Sequence, residues 1–263
     1  MALLGQVALV LGGSSGIGLA TVEELLRAGM SVVVGDVAKE KGEDAVNKLQ
    51  AQFGLQRTVF VHVDVRSKEQ VEDAFVSTMQ YFKKIDVFIN SAGILNDMQW
   101  ELEVDINFNG IIRGTLAAWN HMGKHEGGRG GTVINIASQL GLEPFAGSPI
   151  YCATKHGVIG FSRSCGEPYH VRRTGVRVIT VCPALTQTPL IDETSELKQL
   201  TEDMKTESYR AMSTFPTQKP ENVARGVRHV LQHAASGSVW VSEGGEDIYE
   251  VAIPKRQDLR VPP

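Results

Sequence analysis

Tyr151 and Lys155 stand four residues apart in the stretch Tyr-Cys-Ala-Thr-Lys. On a helix that spacing puts one side chain above the other. An ammonium about 4 Å from a phenol favours the phenolate by roughly 4 kcal/mol at an effective dielectric near 20. Set against about 1.4 kcal/mol per pKa unit, that pull brings a tyrosine from about 10 toward 7. A phenol so tuned is a general base for alcohol oxidation and a general acid for the reverse reaction. The pair alone is a common helix-surface motif, but other residues accompany it. Ser138 lies upstream at the end of the apolar run Val-Ile-Asn-Ile-Ala-Ser, placed to hold a substrate oxygen. Asn107, in a long helical pattern, would position a water against Lys155.

A second constellation concerns a nucleotide. Gly12, Gly16 and Gly18 form G-x-x-x-G-x-G around Ser14, Ser15 and Ile17, between an apolar run and a helical pattern. Glycines there permit a tight turn and let backbone N–H groups approach a pyrophosphate at a helix N-terminus. The spacing is a variant of the familiar G-x-G-x-x-G. Asp36 ends the next apolar run, where a carboxylate accepts hydrogen bonds from ribose hydroxyls and repels a 2′-phosphate. No Arg or Lys lies in 12–18 or at Val37 to welcome such a phosphate. The cofactor expected is therefore NAD rather than NADP. Asp64 and Val65, ending a third run, would cap the adenine edge by side chain and backbone.

These residues need elements to carry them. Strands are predicted over 6–11, 31–36, 58–64, 86–90, 132–138, 176–183 and 238–245. Helices are predicted over 19–29, 39–53, 67–82, 100–122, 149–173 and 222–233. Ser67 is the expected N-cap of the third helix and Gly29 the C-cap of the first. Near-continuous apolar strands between helices indicate a parallel sheet covered on both faces. The expected fold is a doubly wound, Rossmann-type α/β domain of about seven strands, one domain over 1–263. Residues 186–217 are polar without a strong period and too long for an ordinary connection, so they read as a substrate loop or lid. Gly166 and Pro168 conflict with the 149–173 helix, because proline removes a hydrogen bond and should kink or break it.

Composition narrows the function classes. The chain has 263 residues, 42% hydrophobic, with a formal charge of −4 and no basic block, which gives a nucleic-acid role little support. No apolar run approaches the roughly 20 residues that span a bilayer. The apolar start lacks a basic n-region and reads as a first strand rather than a signal peptide. Cys152, Cys165 and Cys182 cannot make a disulfide framework, which points to a reducing, cytoplasmic setting. His121/His125 and His229/His233 are i, i+4 pairs without a Glu or third ligand nearby, so no metal is expected. Cys152 reads as a packing residue. Leu95, Leu140, Leu142 and Phe145 surround the motifs and would line an apolar substrate pocket.

Taken together, the motifs resemble the short-chain dehydrogenase/reductase family. The resemblance runs from residue 6 to about 183, with a looser match to the last strand. It rests on the glycine turn, Asn90 to Gly93, Asn107, Ser138, Tyr151-x-x-x-Lys155 and Pro183. It implies that Asn107, Ser138, Tyr151 and Lys155 form a catalytic set. It places Asn90, Ala92 and Gly93 on the cofactor wall, and Pro183 and Thr188 beside the nicotinamide carboxamide. Metal-free chemistry on a small alcohol or ketone, and a homodimer or homotetramer built through two long helices, also follow from it. Within the family, Pro149 to Ser164, the loop Gly127 to Gly131 and the stretch after Ile89 are similar to NAD-dependent 15-hydroxyprostaglandin dehydrogenases and to insect alcohol and photoreceptor dehydrogenases. Leu11, Ser91 and Ala184 depart from the family's usual Thr, Asn and Gly without removing a chemical role. Ser148 stands where the prostaglandin dehydrogenases carry glutamine, a difference that bears on substrate.

The expected activity is NAD-dependent oxidation of an apolar secondary alcohol, a lipid, prostaglandin, steroid or terpenoid alcohol among the candidates. Two rival readings fit the residues less well. A catalytically weak NAD-binding sensor or scaffold has no need of the four catalytic residues. A sugar-nucleotide epimerase would carry a G-x-x-G-x-x-G turn and a larger C-terminal lobe.

Overall fold

The structure, a computed structural model, describes residues 3–191 and 197–261. Eight strands make one sheet: β1 (Val7–Leu11), β2 (Ser31–Asp36), β3 (Thr58–His62), β4 (Val87–Asn90), β5 (Gly131–Ile136), β6 (Val176–Pro183), β7 (Val239–Ser242) and β8 (Tyr249–Glu250). Their order is β3-β2-β1-β4-β5-β6-β7-β8. All neighbours are parallel except β8, which pairs antiparallel with β7. The eighth strand is two residues long, too short to leave an alternating pattern in the sequence.

Nine helices join the described strands: α1 (Gly16–Arg27), α2 (Lys39–Phe53), α3 (Lys68–Phe82), α4 (Trp100–Val104), α5 (Gly110–Met122), α6 (Pro149–Cys165), α7 (Pro168–Thr174), α8 (Glu202–Met212) and α9 (Pro220–His233). Successive strand residues point to opposite faces. Ala8 and Val10 pack with Val22 and Leu25 of α1 and Val227 and Val230 of α9. Leu9 and Leu11 pack with Val71 and Phe75 of α3 and Ala118 of α5 on the other face. Burial on both faces explains why the strands read as unbroken apolar runs. β1 has β2 on one side and β4 on the other, so the chain reverses its winding there. A crevice opens at the carboxyl ends of β1 and β4, where doubly wound sheets hold ligands.

Several boundaries differ from the sequence reading. The pattern over 149–173 is two helices: α6 stops at Cys165 with Gly166 as C-cap, and Pro168 starts α7 at its first turn. Proline tolerates that position because its missing N–H needs no partner there. The 100–122 helix is interrupted by a π-helical turn, Asp105–Asn109, which carries Asn107. β5 ends at Ile136, so Ser138 lies beyond the strand and caps a short 3₁₀ turn, Gln139–Gly141. Ser67 does cap α3, its side chain accepting from Gln70 N–H. Within 186–217 there is more order than expected. α8 is capped by Thr201, and bridges tie Thr186 to Gln218 and Lys198 to Asn96. Residues 192–196 of that segment lie outside the described residues. Among the described residues no helix is long and apolar enough to cross a membrane.

Candidate active site

The glycine turn and the Asn90 turn meet at the crevice. Gly12 has φ +78, and a Cβ there would lie 2.5 Å from the backbone N of Ala92. Only glycine lets the two turns close on each other. α1 then begins at Gly16, with Ser15 as an N-cap residue whose side chain makes no capping bond and no acidic residue in the first turn. The first N–H groups of a helix lack intrahelical partners and carry the positive end of its dipole. Here they open on a cavity of about 440 Å³ whose wall includes Gly12, Ser15, Gly16, Ile17 and Gly18. The donor set and the dipole both fit a pyrophosphate. Thr188 closes the turn from above: a Cβ on Gly16 would meet its side chain at 3.2 Å.

Asp36, Val37, Asp64 and Val65 line this cavity. The Asp36 carboxylate accepts from Ser14 N–H at 3.1 Å and from Ala38 N–H at 3.0 Å, which fixes its orientation. The Asp64 carboxylate is paired with Arg66 at 2.5 Å, and that hydrogen-bonded ion pair holds its pKa below the usual value. Arg66, which the sequence reading passed over, therefore shares the wall with Asp64. Ala92, Gly93, Pro183 and Thr188 line the same cavity. Ser14 and Asn90 do not reach it. Asn90 is buried and donates from Nδ2 to Asn135 Oδ1 at 2.8 Å, so it ties β4 to β5.

Ser138, Tyr151 and Lys155 converge on the same cavity. Lys155 Nζ sits 5.4 Å from the centroid of the Tyr151 ring and donates to Ile136 O at 3.3 Å. The ion-pair argument predicts a lowered phenol. In the chain alone the balance goes the other way. Burial raises the Tyr151 pKa above its ordinary value, and the neighbouring Ser138 hydroxyl offsets only part of that rise. Burial also brings the Lys155 ammonium down to about 8. Both side chains are almost fully enclosed, and removing a charge from water outweighs a neighbour at this distance.

The Asn107 side-chain amide accepts from Ile94 N–H and donates to Ile94 O, both at 2.8 Å, which fixes its orientation. It stays close to the pair: a Cβ on Gly93 would lie 3.2 Å from Asn107 Oδ1 and 3.6 Å from Lys155 Nζ.

Leu95, Leu140 and Phe145 line the cavity, whereas Leu142 and Ser148 do not. Leu102, Ile106, Leu190, Met212 and Phe215 were missed and add to the same apolar wall. Phe145 and Phe215 face each other with ring centroids 6.1 Å apart. Met212 and Phe215 gave no signal because they are isolated apolar residues in a polar stretch. Cys152 is buried, its Sγ near Phe145 O, with a thiol pushed up by burial, as befits a packing residue. Among the described residues no three His, Cys, Asp or Glu come together as metal ligands.

Comparison with known proteins gives a consistent result. The family profile described as short chain dehydrogenase matches residues 6–199. The rat protein 15-hydroxyprostaglandin dehydrogenase [NAD(+)] is 35% identical over 93% of this chain and 93% of its own length. Alcohol dehydrogenase 2 of Ceratitis capitata is 39% identical over 93% of this chain and 94% of its own length. Among solved structures, levodione reductase superposes with a TM-score of 0.79 at 25% identity, covering 92% of this chain and 97% of that one.

Proposed function

The chain belongs to the short-chain dehydrogenase family, and from that premise we propose that it oxidises an apolar secondary alcohol to the ketone with Tyr151 as general base. It is an NAD-dependent alcohol oxidoreductase. The observation that supports the finer reading is the meeting of Ser138, Tyr151 and Lys155 in one cavity whose wall also carries Asp36 and a set of apolar side chains. NAD, when bound, supplies the hydride acceptor. Gly16 to Gly18 hold its pyrophosphate with backbone N–H groups, and Asp36 takes the ribose hydroxyls. Ser138 donates a hydrogen bond to the substrate oxygen. Tyr151 removes the hydroxyl proton, and Lys155 favours the phenolate that does so. Leu95, Leu140, Phe145 and Phe215 cover the apolar body of the alcohol and keep water from the reacting carbon. Exposed Val76 and Met79 on α3 and Leu116 on α5 support assembly as a dimer or tetramer. Three free, buried cysteines support a cytoplasmic location.

The test is formation of reduced nicotinamide, read by its near-ultraviolet absorbance, with NAD or NADP and a panel of short, terpenoid, steroid and 15-hydroxyprostaglandin alcohols. Turnover with NAD that favours bulky apolar alcohols is expected. Turnover only with small polar alcohols would overturn the substrate class. Asp36→Asn carries a separate prediction. A hydrogen bond to a charged group contributes about 1.5–3 kcal/mol, so the preference for NAD over NADP in kcat/KM should fall by roughly 10- to 100-fold. An unchanged ratio would remove Asp36 from the ribose site.

A further inference from the structure

Two buried acids that this chemistry does not use lie beneath the N-terminus of α6. Asp97 and Glu103 both have 0% exposure. Asp97 Oδ2 accepts from Ile150 N–H at 3.0 Å and Oδ1 from Tyr151 N–H at 3.2 Å. Those are first-turn N–H groups of α6, where an N-cap side chain ordinarily accepts. The N-cap residue here is Ser148, which makes no capping bond; its hydroxyl is buried without a protein partner among the described residues. Asp97 thus caps the helix from a distant turn, and one of its two bonds is to the backbone of the reacting tyrosine. The same turn is held from the other side, Met98 N–H donating to Lys198 O.

Glu103 adjoins this cap. Its Oε1 accepts from Asn96 N–H at 2.8 Å, while Oε2 is buried with no donor to accept from. Asn96, which donates to Glu103, directly precedes Asp97 in the chain, so the Asp97 carboxyl is the neighbouring acid. Two neighbouring carboxylates, both out of water, repel and leave lone pairs unsatisfied. One proton removes both problems by making Oε2 a donor. We propose that Glu103 is a positioning residue: its carboxylic acid donates to Asp97, and Asp97, so held, fixes the first turn of α6 and with it Tyr151. This rests on the reading of Tyr151 as the base.

The charged groups facing Glu103 are Asp97 from the turn and Lys155 from α6, with the Tyr151 phenol also within electrostatic reach. Burial, with Asp97 adding to it, lifts Glu103 to about 8, although the Asn96 N–H and the Lys155 charge pull it down. The sign then follows from linkage. Between the unfolded value, about 4.5, and about 8, the folded chain keeps a proton that the unfolded chain has released. Folded stability therefore falls as pH rises across that window and levels off above it.

Glu103→Gln keeps both bonds, since its amide accepts from Asn96 and donates to Asp97, and it cannot ionise. Glu103→Leu keeps volume and loses both. The experiment measures kcat and KM for the alcohol found above, KM for NAD, and Tm from pH 5 to 9. Expected are a kcat for E103Q within about threefold of the parent and for E103L at least tenfold lower, with KM for NAD within about threefold in both; small displacements at a reacting group cost on this scale. The Tm of E103Q should gain on the parent by about 3 °C or more between pH 5 and 8, then hold a constant margin. A kcat loss in E103Q as large as in E103L would overturn the proposal, and so would a Tm margin that is flat from pH 5 to 8. Should E103L fail to fold, E103Q still decides through its pH-dependent margin. Should the parent turn over no alcohol, the reading of Tyr151 fails, and the Tm margin alone tests the shared proton.

Discussion

Tyr151→Phe is expected to lower kcat for alcohol oxidation by about 10³-fold while NAD affinity stays within about threefold, since positioned acid–base groups contribute roughly 10²- to 10⁴-fold. The ring is buried, so Phe retains its packing and the change removes one hydroxyl from the cavity wall. As the proposed base, the phenol has to lose a proton in a place where burial opposes it. Lys155, whose ammonium lies 5.4 Å from the ring centroid, is the group proposed to supply the opposing pull. A full charge roughly 5 Å from a phenolate is worth about 3 kcal/mol at an effective dielectric of 20, or about two pKa units. Lys155 is itself brought to about 8 by burial, so above that pH its help fades in the chain alone. The parent rate should therefore rise from acid pH and flatten on the alkaline side. Lys155→Met should lose activity most strongly near neutrality, where the ammonium is present. Retention of more than a tenth of parental kcat in Tyr151→Phe, with Tm unchanged, would sink the assignment of the base.

What the sequence makes legible follows from which residues meet backbone constraints. Strands buried on both faces must be apolar throughout, so β1, β2, β4, β5 and β6 are readable; β3, at the sheet edge and partly exposed, still reads through its alternating β-branched and aromatic residues, and β8, a two-residue pairing, does not read at all. The Gly12 turn was readable because steric closure against Ala92 admits glycine alone. Tyr151 and Lys155 were readable because a four-residue spacing survives any small error in helix bounds. The failures also have causes. The π turn at Asp105–Asn109 keeps a helical pattern of residue types, so the changed setting of Asn107 left no mark. α8 buries little besides Ser208 and so shows no apolar stripe, although Met212 at its end reaches the cavity. The phenol's pKa depended on burial, and a spacing argument contains a charge and a distance but no dielectric boundary. Glu103 and Asp97 carry no mark of burial in their residue types, and the fold encloses both.

Gly18→Ala is expected to weaken NAD binding at least tenfold and lower Tm by about 6–12 °C. A Cβ at Gly18 would lie 2.0 Å from Gly12 O and 2.8 Å from Gly12 C, inside any allowed contact and against backbone rather than a pliable side chain. Gly12 cannot yield, because its N–H is bonded to Gly35 O at 2.8 Å and its Cα abuts the Ala92 turn. α1 has to lift from the turn instead, which pulls it from Val10 and Val227 and moves the N–H groups proposed to hold the pyrophosphate. Overpacking of this kind costs about 1–3 kcal/mol, and each kcal/mol near the upper value shifts Tm by about 2–4 °C in a chain approaching this size. Gly160→Ala is the counter-case, also a glycine inside a helix. A Cβ there meets nothing within 4 Å. Relief of glycine's conformational entropy, about 0.5–1 kcal/mol, should then raise Tm by about 1–4 °C with NAD binding unchanged. Opposite signs for the same chemical change would separate intrinsic helix preference from the contact at Gly12. A Gly18→Ala chain with parental Tm and NAD affinity would show that α1 does not need that contact to present its N-terminus.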